Sequence, residues 1–319
     1  MRRASVEPFL TGLFDYAGLF PPASLDMEAA VREYLDHRSS GDRWMLGPFV
    51  VPMDRLSELR AFSNLFDPAD PFALDILLPG ASSADTFARE IPLQLANCRM
   101  FSDRHPTTGV VAFETRLPKD VLTADRARRI FESVSDALEF AGFGHTRLFF
   151  ELDRGPTFQT QTPAVFDALA DLGSDRLAAK LRCGGTSADD FPPPEQVASF
   201  IRAGASTGQP FKLTAGLHHP VRHHDDETGA MMHGFLNLMF AAVLAAAHDL
   251  DETRIVEIVS EEDADAFMFE DAVIRWGHLD ADLDRLRATR RDVALSIGSC
   301  SFDEPREDMV DLGWLSLPG

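Results

Sequence analysis

Residues 177–185 read LAAKLRCGG, and two stretches of the same kind flank them, RLFFELD at 147–153 and FKLTAGL at 211–217. Each is a short apolar run that ends in charged or glycine-containing residues, which is typical of a buried strand. The segments between them, 163–172 and 194–205, have the apolar repeat of helices. Strand, helix and strand in this order indicate βα units with parallel strands.

The alternation continues on both sides of this stretch. Before it, we expect strands at 47–52, 73–79 and 109–117, and helices at 27–38 (capped by Ser24 or Asp26), near 54–64, near 83–91 and at 122–141. After it, we expect a helix at 231–248 and a last strand at 292–302, with 252–291 ambiguous between helix and a short strand, and one more strand near 95–101 or 272–276. The count favours an α/β fold, a (β/α)8 TIM-like barrel, over an open sheet.

The barrel is expected to form a single domain over residues 25–319. The stretch DYAGLFPPASLDM near the start is aromatic, irregular and rich in proline. We therefore expect residues 1–24 to be an irregular segment that packs across one end of the barrel or contributes to an oligomer contact, so that a homo-oligomer is possible. Within this segment, Asp15 and Tyr16 are minor site candidates.

The composition argues against several kinds of partner. With 51 acidic and 30 basic residues, the net charge of −21 repels nucleic-acid backbones and anionic lipids. The most apolar stretch, Phe235–Ala247, is shorter than the roughly 20 residues that cross a bilayer, and the first residues lack the apolar core of a secretory signal. Cys98, Cys183 and Cys300 are odd in number and widely spaced, which argues against disulfides. We expect a cytoplasmic protein without nucleic-acid or membrane partners.

Lysine occurs only at positions 119, 180 and 212, and all other basic residues of the 30 are arginine. Lys119 follows an apparent turn and is expected at the surface. Lys180 and Lys212 lie in consecutive predicted strands, shortly before glycine-containing turns. Neighbouring strands lie about 4.8 Å apart, and barrel enzymes place their sites at the carboxyl ends of the strands. We therefore expect both lysines at one mouth of the barrel.

Alternation along the strands adds charged neighbours to the two lysines. Shared faces are expected for Lys180 with Arg182, Lys212 with Thr214, Glu151 with Asp153, and Glu114 with Arg116. One alternative is structural, with Glu151–Lys180 and Glu114–Arg182 as ion pairs inside the barrel. The other is catalytic: two crowded ammonium groups lower the pKa of one lysine, and the neutral amine forms a Schiff base with a carbonyl. Glu151 or Asp153 would then carry protons, and Arg182 would hold a carboxylate or phosphate.

The pattern K-x-x-x-G-G at 180–185, followed by K-x-T-A-G-L at 212–217, resembles the paired-lysine strands of class I aldolases of the deoxyribose-phosphate type. The likeness covers less than one eighth of the chain. It departs at Arg182 and Cys183, where the family has small hydroxyl residues, and at LHHP after the second strand. The resemblance implies Schiff-base chemistry, with the turn at Gly184 and Gly185 holding a phosphate.

Five of the ten histidines fall within residues 218–233. His218 and His219 follow the Lys212 strand, and His233 and Asn237 lie four residues apart near the start of the next helix, so all four are site candidates, with His219 as a catalytic acid or base. The alternative is a zinc or iron site made by His219 or His218 with His233 and Glu151, because catalytic metals often take three protein ligands. His223 and His224, in the stretch RHHDDE, are expected in a solvated loop.

Two glycine-containing strand ends, RCGG at 182–185 and GSCSFDEP at 298–305, could offer backbone N–H groups to an anion. Ser299 and Ser301 are candidate donors there, and Glu304 is expected to help cap the last helix. Cys183 and Cys300 are either stabilised thiolates or small residues in tight turns. Together with DYAGLFPPA, KLRCGG, TAGLHHP and MHGFLN, the motif GSCSFDEP resembles the sequences of an uncharacterised family of bacterial proteins over nearly the whole chain. This resemblance implies no function.

The sequence thus favours a barrel enzyme, a lyase of the aldolase kind or an isomerase, that acts on a small anionic carbonyl compound without a cofactor. The expected catalytic residues are Lys180, Lys212, Glu151 and His219. The expected substrate-binding residues are Arg182, Gly184, Gly185, Thr214, His218, His233, Asn237, Glu114, Arg116, Ser299 and Ser301. The alternatives are a metal-dependent enzyme of the same fold that uses His218, His219 and His233, and a non-catalytic barrel that binds a small metabolite.

Overall fold

The computed structural model describes residues 3–226 and 228–315. Its strands are β1 Phe14–Tyr16, β2 Leu46–Pro52, β3 Phe72–Leu77, β4 Thr108–Arg116, β5 Arg147–Glu151, β6 Leu177–Arg182, β7 Phe211–Thr214, β8 His223–Asp225, β9 Ala230–Met232, β10 Phe267–Phe269, β11 Val273–Trp276, β12 Leu279–Asp282 and β13 Ala294–Ser299. Its α-helices are α1 Val6–Leu10, α2 Met27–Ser39, α3 Ala84–Arg104, α4 Ala124–Phe140, α5 Phe158–Leu172, α6 Pro194–Thr207, α7 Phe235–His248, α8 Glu252–Val259, α9 Leu283–Asp292 and α10 Asp303–Asp311. Short 3₁₀ helices occupy Arg43–Met45, Met53–Leu65, Ala188–Asp190 and Ala264–Ala266.

Eight strands of the described chain close into a barrel in the order β1-β13-β7-β6-β5-β4-β3-β2. Neighbouring barrel strands run parallel, as in the pairs β5–β6 and β6–β7. Helices α3 to α6 alternate with strands β3 to β7 along the chain, as βα units require. The (β/α)8 TIM-like barrel predicted from the sequence is confirmed.

The amino-terminal segment supplies one of the barrel strands. Strand β1 lies between β13 and β2 and is parallel to both. The prediction that residues 1–24 form an irregular segment packing on the barrel is therefore wrong for residues 14–16, while Met1 and Arg2 lie outside the described residues. Three residues are too few for an apolar alternation to be read from the sequence.

Two further expectations about the strands needed correction. The strand expected near 95–101 is wrong, because residues 84–104 form one helix, α3, whose buried residues Phe87, Ile91, Leu95 and Cys98 recur every three or four positions. The stretch 272–276 does contain strand β11. That strand belongs to an antiparallel sheet of β10, β11 and β12 outside the barrel. The α-helices in the region 252–291 are α8 and α9.

The two faces of each barrel strand have different environments. In β5, Leu148 and Phe150 belong to the large core between barrel and helices, whereas Phe149 joins Ala112 and Ala178 in a separate interior cluster. The next interior position along each of these strands is charged: Glu151, Glu114 and Lys180. The apolar interior cluster therefore lies directly below a charged layer, on the amino-terminal side of it.

In the described part of the chain, no helix is long and apolar enough to span a membrane.

Candidate active site

The two lysines meet in the interior of the barrel. Lys180 of β6 and Lys212 of β7 are direct partners in the strand register, and their exposed fractions are 5% and 0%. The carboxylate of Glu114 joins them, since Oε2 accepts from Lys180 and Oε1 lies 2.5 Å from Lys212 Nζ. The structure thus brings together the lysines that strand alternation placed side by side.

Three further carboxylates complete the arrangement, which we call the charge cluster: Asp15, Asp75, Glu114, Glu151, Lys180 and Lys212. Lys212 Nζ lies 2.6 Å from Asp15 Oδ2 and 2.8 Å from Asp75 Oδ2. Lys180 Nζ lies 2.8 Å from Glu151 Oε2. The cluster therefore runs from the buried centre of the barrel, at Lys212, to Glu151 at the carboxyl end of β5.

Two members of the cluster are not expected from the sequence as central residues. Asp15 is only a minor candidate in a segment expected to be irregular, and Asp75 is not among the candidates. Asp75 has a readable signal, since it interrupts the apolar run ALDILLP in a strand whose neighbours Leu74 and Ile76 are fully buried. A carboxylate at the centre of a buried strand requires a partner, and here that partner is a lysine.

The neighbouring carboxylates decide the protonation of the two lysines. Burial alone would lower the pKa of Lys180, but Glu114 and Glu151 outweigh it and raise that pKa. Burial likewise acts against the charge of Lys212, yet Asp15, Asp75 and Glu114 raise its pKa well above the usual value. The expectation that crowding lowers the pKa of one lysine is therefore wrong, because four carboxylates surround the pair.

The pKa values of the carboxyl groups shift in opposite directions, according to whether burial or the charge of the lysines has the larger effect. Burial favours protonation of Glu114, but its two lysine partners outweigh this and lower its pKa. For Asp15 and Asp75, burial dominates and raises the pKa, and the charge of Glu114 adds to the effect. The cluster thus combines a carboxyl group whose pKa is lowered, Glu114, with two whose pKa is raised, Asp15 and Asp75.

A cleft of about 1280 Å³ opens above the cluster, over the carboxyl ends of β2 to β6. Glu151 joins the two, because its carboxylate faces both the cleft and Lys180. The cationic residues that line the cleft are Arg116, Lys119, Arg154 and Arg182. Three of these four are paired with carboxylates, namely Arg116 with Glu151, Lys119 with Asp153 and Arg154 with Asp190.

Arg182 differs from the other cations of the cleft. Its Nε donates to the carbonyl of Gly184, and among the described residues no carboxylate lies within ion-pair distance of its guanidinium group. The expected Glu114–Arg182 ion pair does not form, because Glu114 is held between the two lysines. An anion entering the cleft therefore meets a guanidinium whose terminal nitrogens are free of carboxylates.

The glycine turns after β6 and β7 pack against each other. A Cβ on Gly184 would lie 2.9 Å from the Cα of Gly216 and 2.7 Å from the ring of Phe191, and Gly185 lies against Asp190. Thr214, at the end of β7, packs against Gly298 in the same way. The glycines allow this close backbone approach, and Phe191 covers the place where the resemblance implies a phosphate.

The histidines and serines lie elsewhere. His233 is fully buried and its Nε2 contacts the carbonyl of Pro192 at 2.7 Å, while Asn237 donates to the carbonyls of Ile258 and Glu261. None of His218, His219, His233, Asn237, Ser299 and Ser301 lines the cleft.

The three residues of the metal alternative are likewise held apart. His219 pairs with Asp308, His233 with a backbone carbonyl and Glu151 with Lys180. Within residues 3–226 and 228–315, no group of three or more histidine, cysteine, aspartate or glutamate side chains has the arrangement of a metal site. The structure does not bring His219, His233 and Glu151 together.

The candidates His218, Ser299 and Ser301 contact neighbouring residues of the protein. His218 Nδ1 lies 3.4 Å from Ser299 Oγ and 3.6 Å from Cys300 Sγ, and Ser301 Oγ accepts from the N–H of Glu304 at the start of α10. All three cysteines are free and buried. Burial raises the pKa of Cys183 to about 12 and that of Cys300 to about 11. Both therefore remain thiols at neutral pH, which favours the interpretation as small residues in tight turns.

Some solved structures are similar to this chain. No protein-family model matches the chain, and no curated protein does. One similar solved structure is the tetrameric deoxyribose phosphate aldolase from Aeropyrum pernix, at 13% identity over 96% of this chain and 93% of that one, with a TM-score of 0.47. Another is a sugar phosphate isomerase/epimerase from Parabacteroides distasonis, at 10% identity over 78% of this chain and 96% of that one, with a TM-score of 0.41.

Proposed function

We propose that this protein is a barrel enzyme, a lyase or an isomerase, that acts on a small anionic carbonyl compound bound in the cleft. The observation that carries the proposal is the position of Lys180. Its ammonium group lies between Glu114 and Glu151, and Glu151 also faces the cleft. Lys180 does not itself line the cleft and is only 5% exposed, so a carbonyl group reaches its amine past Glu151, and this carboxylate can exchange a proton with the amine.

The chemistry begins with a proton transfer. Lys180 is protonated at rest, and Glu151 Oε2, 2.8 Å from Nζ, is the acceptor nearest to the cleft. The neutral amine then attacks the carbonyl carbon of the substrate, the carbonyl oxygen leaves as water, and an imine remains. Glu151 returns its proton to the imine nitrogen, and the resulting iminium withdraws electrons from the neighbouring carbon, so a bond to that carbon can break or a proton can leave it.

Lys212 has a different role in this proposal. It is fully enclosed, so a substrate cannot reach its Nζ. Its charge lies next to Glu114, the carboxylate that also holds Lys180. Lys212 is therefore a positioning residue that holds Glu114 ionised and fixes it beside Lys180.

The preference for an anionic substrate follows from Arg182. This residue and Lys180 are two positions apart on the same strand face, a separation of about 6–7 Å along a strand. A guanidinium group binds carboxylate and phosphate through paired hydrogen bonds. The reactive carbonyl and the anionic group are thus only a few bonds apart in the substrate.

Borohydride trapping tests the proposal. The protein is incubated with a panel of small carboxylated and phosphorylated aldehydes and ketones, reduced, digested and analysed by mass spectrometry. We expect one of these compounds to leave a stable adduct on Lys180. The adduct should form faster in mildly alkaline buffer than at neutral pH, because the pKa of Lys180 is raised and its neutral fraction grows as the pH rises.

The small number of lysines makes the control complete. Only Lys119, Lys180 and Lys212 can carry a lysine adduct, so the variants Lys119→Arg and Lys180→Arg serve as a matched pair. Lys180→Arg should abolish the adduct and turnover, and Lys119→Arg should retain both. An adduct that persists in Lys180→Arg, or saturable binding with neither an adduct nor turnover, would contradict the proposal and favour a non-catalytic binding barrel.

A further inference from the structure

The loop that follows β7 brings two histidines together outside the cleft. His219 and His223 are four residues apart, and their ring centroids lie 4.6 Å apart with the ring planes at 90°. Neither histidine lines the cleft. The sequence reasoning placed His223 in a solvated loop, and the structure places it in strand β8, which pairs with β9.

In both rings a hydrogen bond occupies Nδ1, so Nε2 is the nitrogen available to a ligand. His223 Nδ1 lies 3.0 Å from the carbonyl oxygen of Val221, which can only accept, so Nδ1 carries the proton. His219 Nδ1 lies 2.7 Å from Asp308 Oδ2, an acceptor of the same kind. In each neutral ring the lone pair is then on Nε2. A metal-binding histidine has this arrangement, with one nitrogen held by a carboxylate or a backbone carbonyl.

The spacing of the rings suits a shared ion. A metal–nitrogen bond of about 2.0–2.1 Å places the centroid of an imidazole ring roughly 3 Å from a bound ion. Two centroids 4.6 Å apart are close enough for both rings to reach one ion when their Nε2 atoms turn toward it. The side chain of His219 is 43% exposed, which gives the ion a path from solvent and leaves room for water as the remaining ligands.

The surroundings are negatively charged. Asp308 holds His219 directly, and Glu304 lies in the first turn of the same helix, α10. Asp225 accepts two hydrogen bonds from Thr228 on the β8–β9 hairpin. Acidic neighbours favour a cation over an anion at this position.

We propose that His219 and His223 form a binding site for a divalent transition-metal ion such as Zn²⁺. The ion would connect the loop after β7 to strand β8, while Asp308 of α10 orients His219. This site is separate from Lys180 and the cleft, so it does not depend on the proposed enzymatic function.

Calorimetric titration with Zn²⁺ tests the proposal. The protein is prepared without nickel affinity, stripped with a chelator and dialysed, and the wild type is compared with His219→Ala, His223→Ala and Asp308→Asn. We expect one equivalent of zinc to bind the wild type, and each histidine variant to bind at least about ten-fold more weakly, because half of the protein ligands are lost. Asp308→Asn should also weaken binding, since carboxylates that orient a ligand typically contribute about 10–100-fold.

The matched control is His145→Ala, which removes an exposed histidine that precedes β5. It should bind zinc as the wild type does. Circular dichroism establishes that every variant is folded, and zinc should raise the melting temperature of the wild type and of His145→Ala by more than that of the other variants. The proposal is overturned if the wild type binds no zinc, or if His219→Ala and His223→Ala bind it as tightly as His145→Ala does.

Discussion

The Lys212 ammonium group has three carboxylates within 2.8 Å of Nζ and no exposure to solvent. Its Nζ also lies 5.0 Å from the centre of the Phe149 ring, at the top of the apolar interior cluster. Removing a charge from water is costly, and only close partners offset that cost. The stability of this part of the barrel therefore depends on keeping the group paired.

We predict that Lys212→Met lowers the free energy of unfolding by about 3–5 kcal/mol, because it leaves buried carboxylates without their cation. The double variant with Asp75→Asn should recover part of that loss, since one fewer carboxylate is left unpaired. Urea denaturation at neutral pH measures both.

Lys119→Met is the control for this prediction. Lys119 is 74% exposed and pairs with Asp153, and an exposed pair of this kind contributes at most about 1 kcal/mol. Equal stability of Lys212→Met and Lys119→Met would show that the cluster is not paired as described.

At the level of single residues, alternation along the strands was enough to predict that Lys180 and Lys212 meet and that Glu114 and Glu151 face them. The direction of the pKa shift was wrong for a physical reason. It depends on the number of carboxylates around the lysines, and two of these, Asp15 and Asp75, come from β1 and β3. Strand periodicity does not show which residues of distant strands meet across a closed barrel.

The position of strand β1 depends on a glycine in the neighbouring strand β2. A Cβ on Gly47 of β2 would lie 2.2 Å from Asp15 Oδ1. Asp15 cannot move aside easily, because its other oxygen is bound to Lys212 and accepts a hydrogen bond of 2.7 Å from Ser296. Gly47 is therefore required for the carboxylate to lie between the strands.

We predict that Gly47→Ala lowers the free energy of unfolding by about 1–3 kcal/mol, as overpacking of a fixed interior typically does. Gly109→Ala is the matched change in β4, where the added methyl would lie 3.6 Å from Pro71, an ordinary contact. Its effect should stay within about 0.5 kcal/mol. If both variants have the same urea midpoint, Asp15 is free to move and β1 is less constrained than its contacts indicate.

Among the elements, long periodic segments were predicted well and short ones were not. Helix α4 and strands β5, β6 and β7 lie close to their expected positions, because each repeats one apolar pattern over enough residues. Strand β1 has only three residues and pairs with β13, which is distant in sequence. Strand β11 pairs with its sequence neighbours β10 and β12, and its short apolar run does not show that this sheet lies outside the barrel.

One buried arginine connects the segment before β1 with the start of β13. Arg290 of α9 donates through Nε to the carbonyl of Phe9 at 2.8 Å and through Nη2 to that of Thr11 at 3.1 Å. Its Nη1 contacts the carbonyls of Ala294 and Leu295 at the start of β13. This side chain therefore holds the amino-terminal segment against the last strand of the barrel.

We predict that Arg290→Met lowers the free energy of unfolding by at least about 3 kcal/mol, because each buried carbonyl left without a donor costs about 1–3 kcal/mol. The adjacent Arg291 faces solvent and pairs with Asp292, so Arg291→Met should leave stability unchanged. Thermal unfolding of the two variants is the measurement. Equal melting temperatures would mean that water replaces the guanidinium at the four carbonyls.

For the whole molecule, the order of strands and helices was enough to predict a closed barrel, although one of the eight strands was assigned to the wrong place. Closure of the barrel limits the possible topologies, because six regular βα strands leave two open sheet edges, and each edge requires a further strand as its partner. Which segments supply those partners is decided by contacts such as those of Arg290, and these join residues about 280 positions apart.

The place of β1 between β2 and β13 has a consequence for biosynthesis. Asp15 is made long before Ser296, which donates to it and lies 281 positions further along the chain. While the chain is still emerging from the ribosome, β1 and β7 both lack β13 as a neighbour, and Asp15 lacks its hydrogen bond from Ser296. The nascent chain therefore exposes an open sheet edge until β13 has been made, and it depends on rapid closure or on chaperones to avoid aggregation.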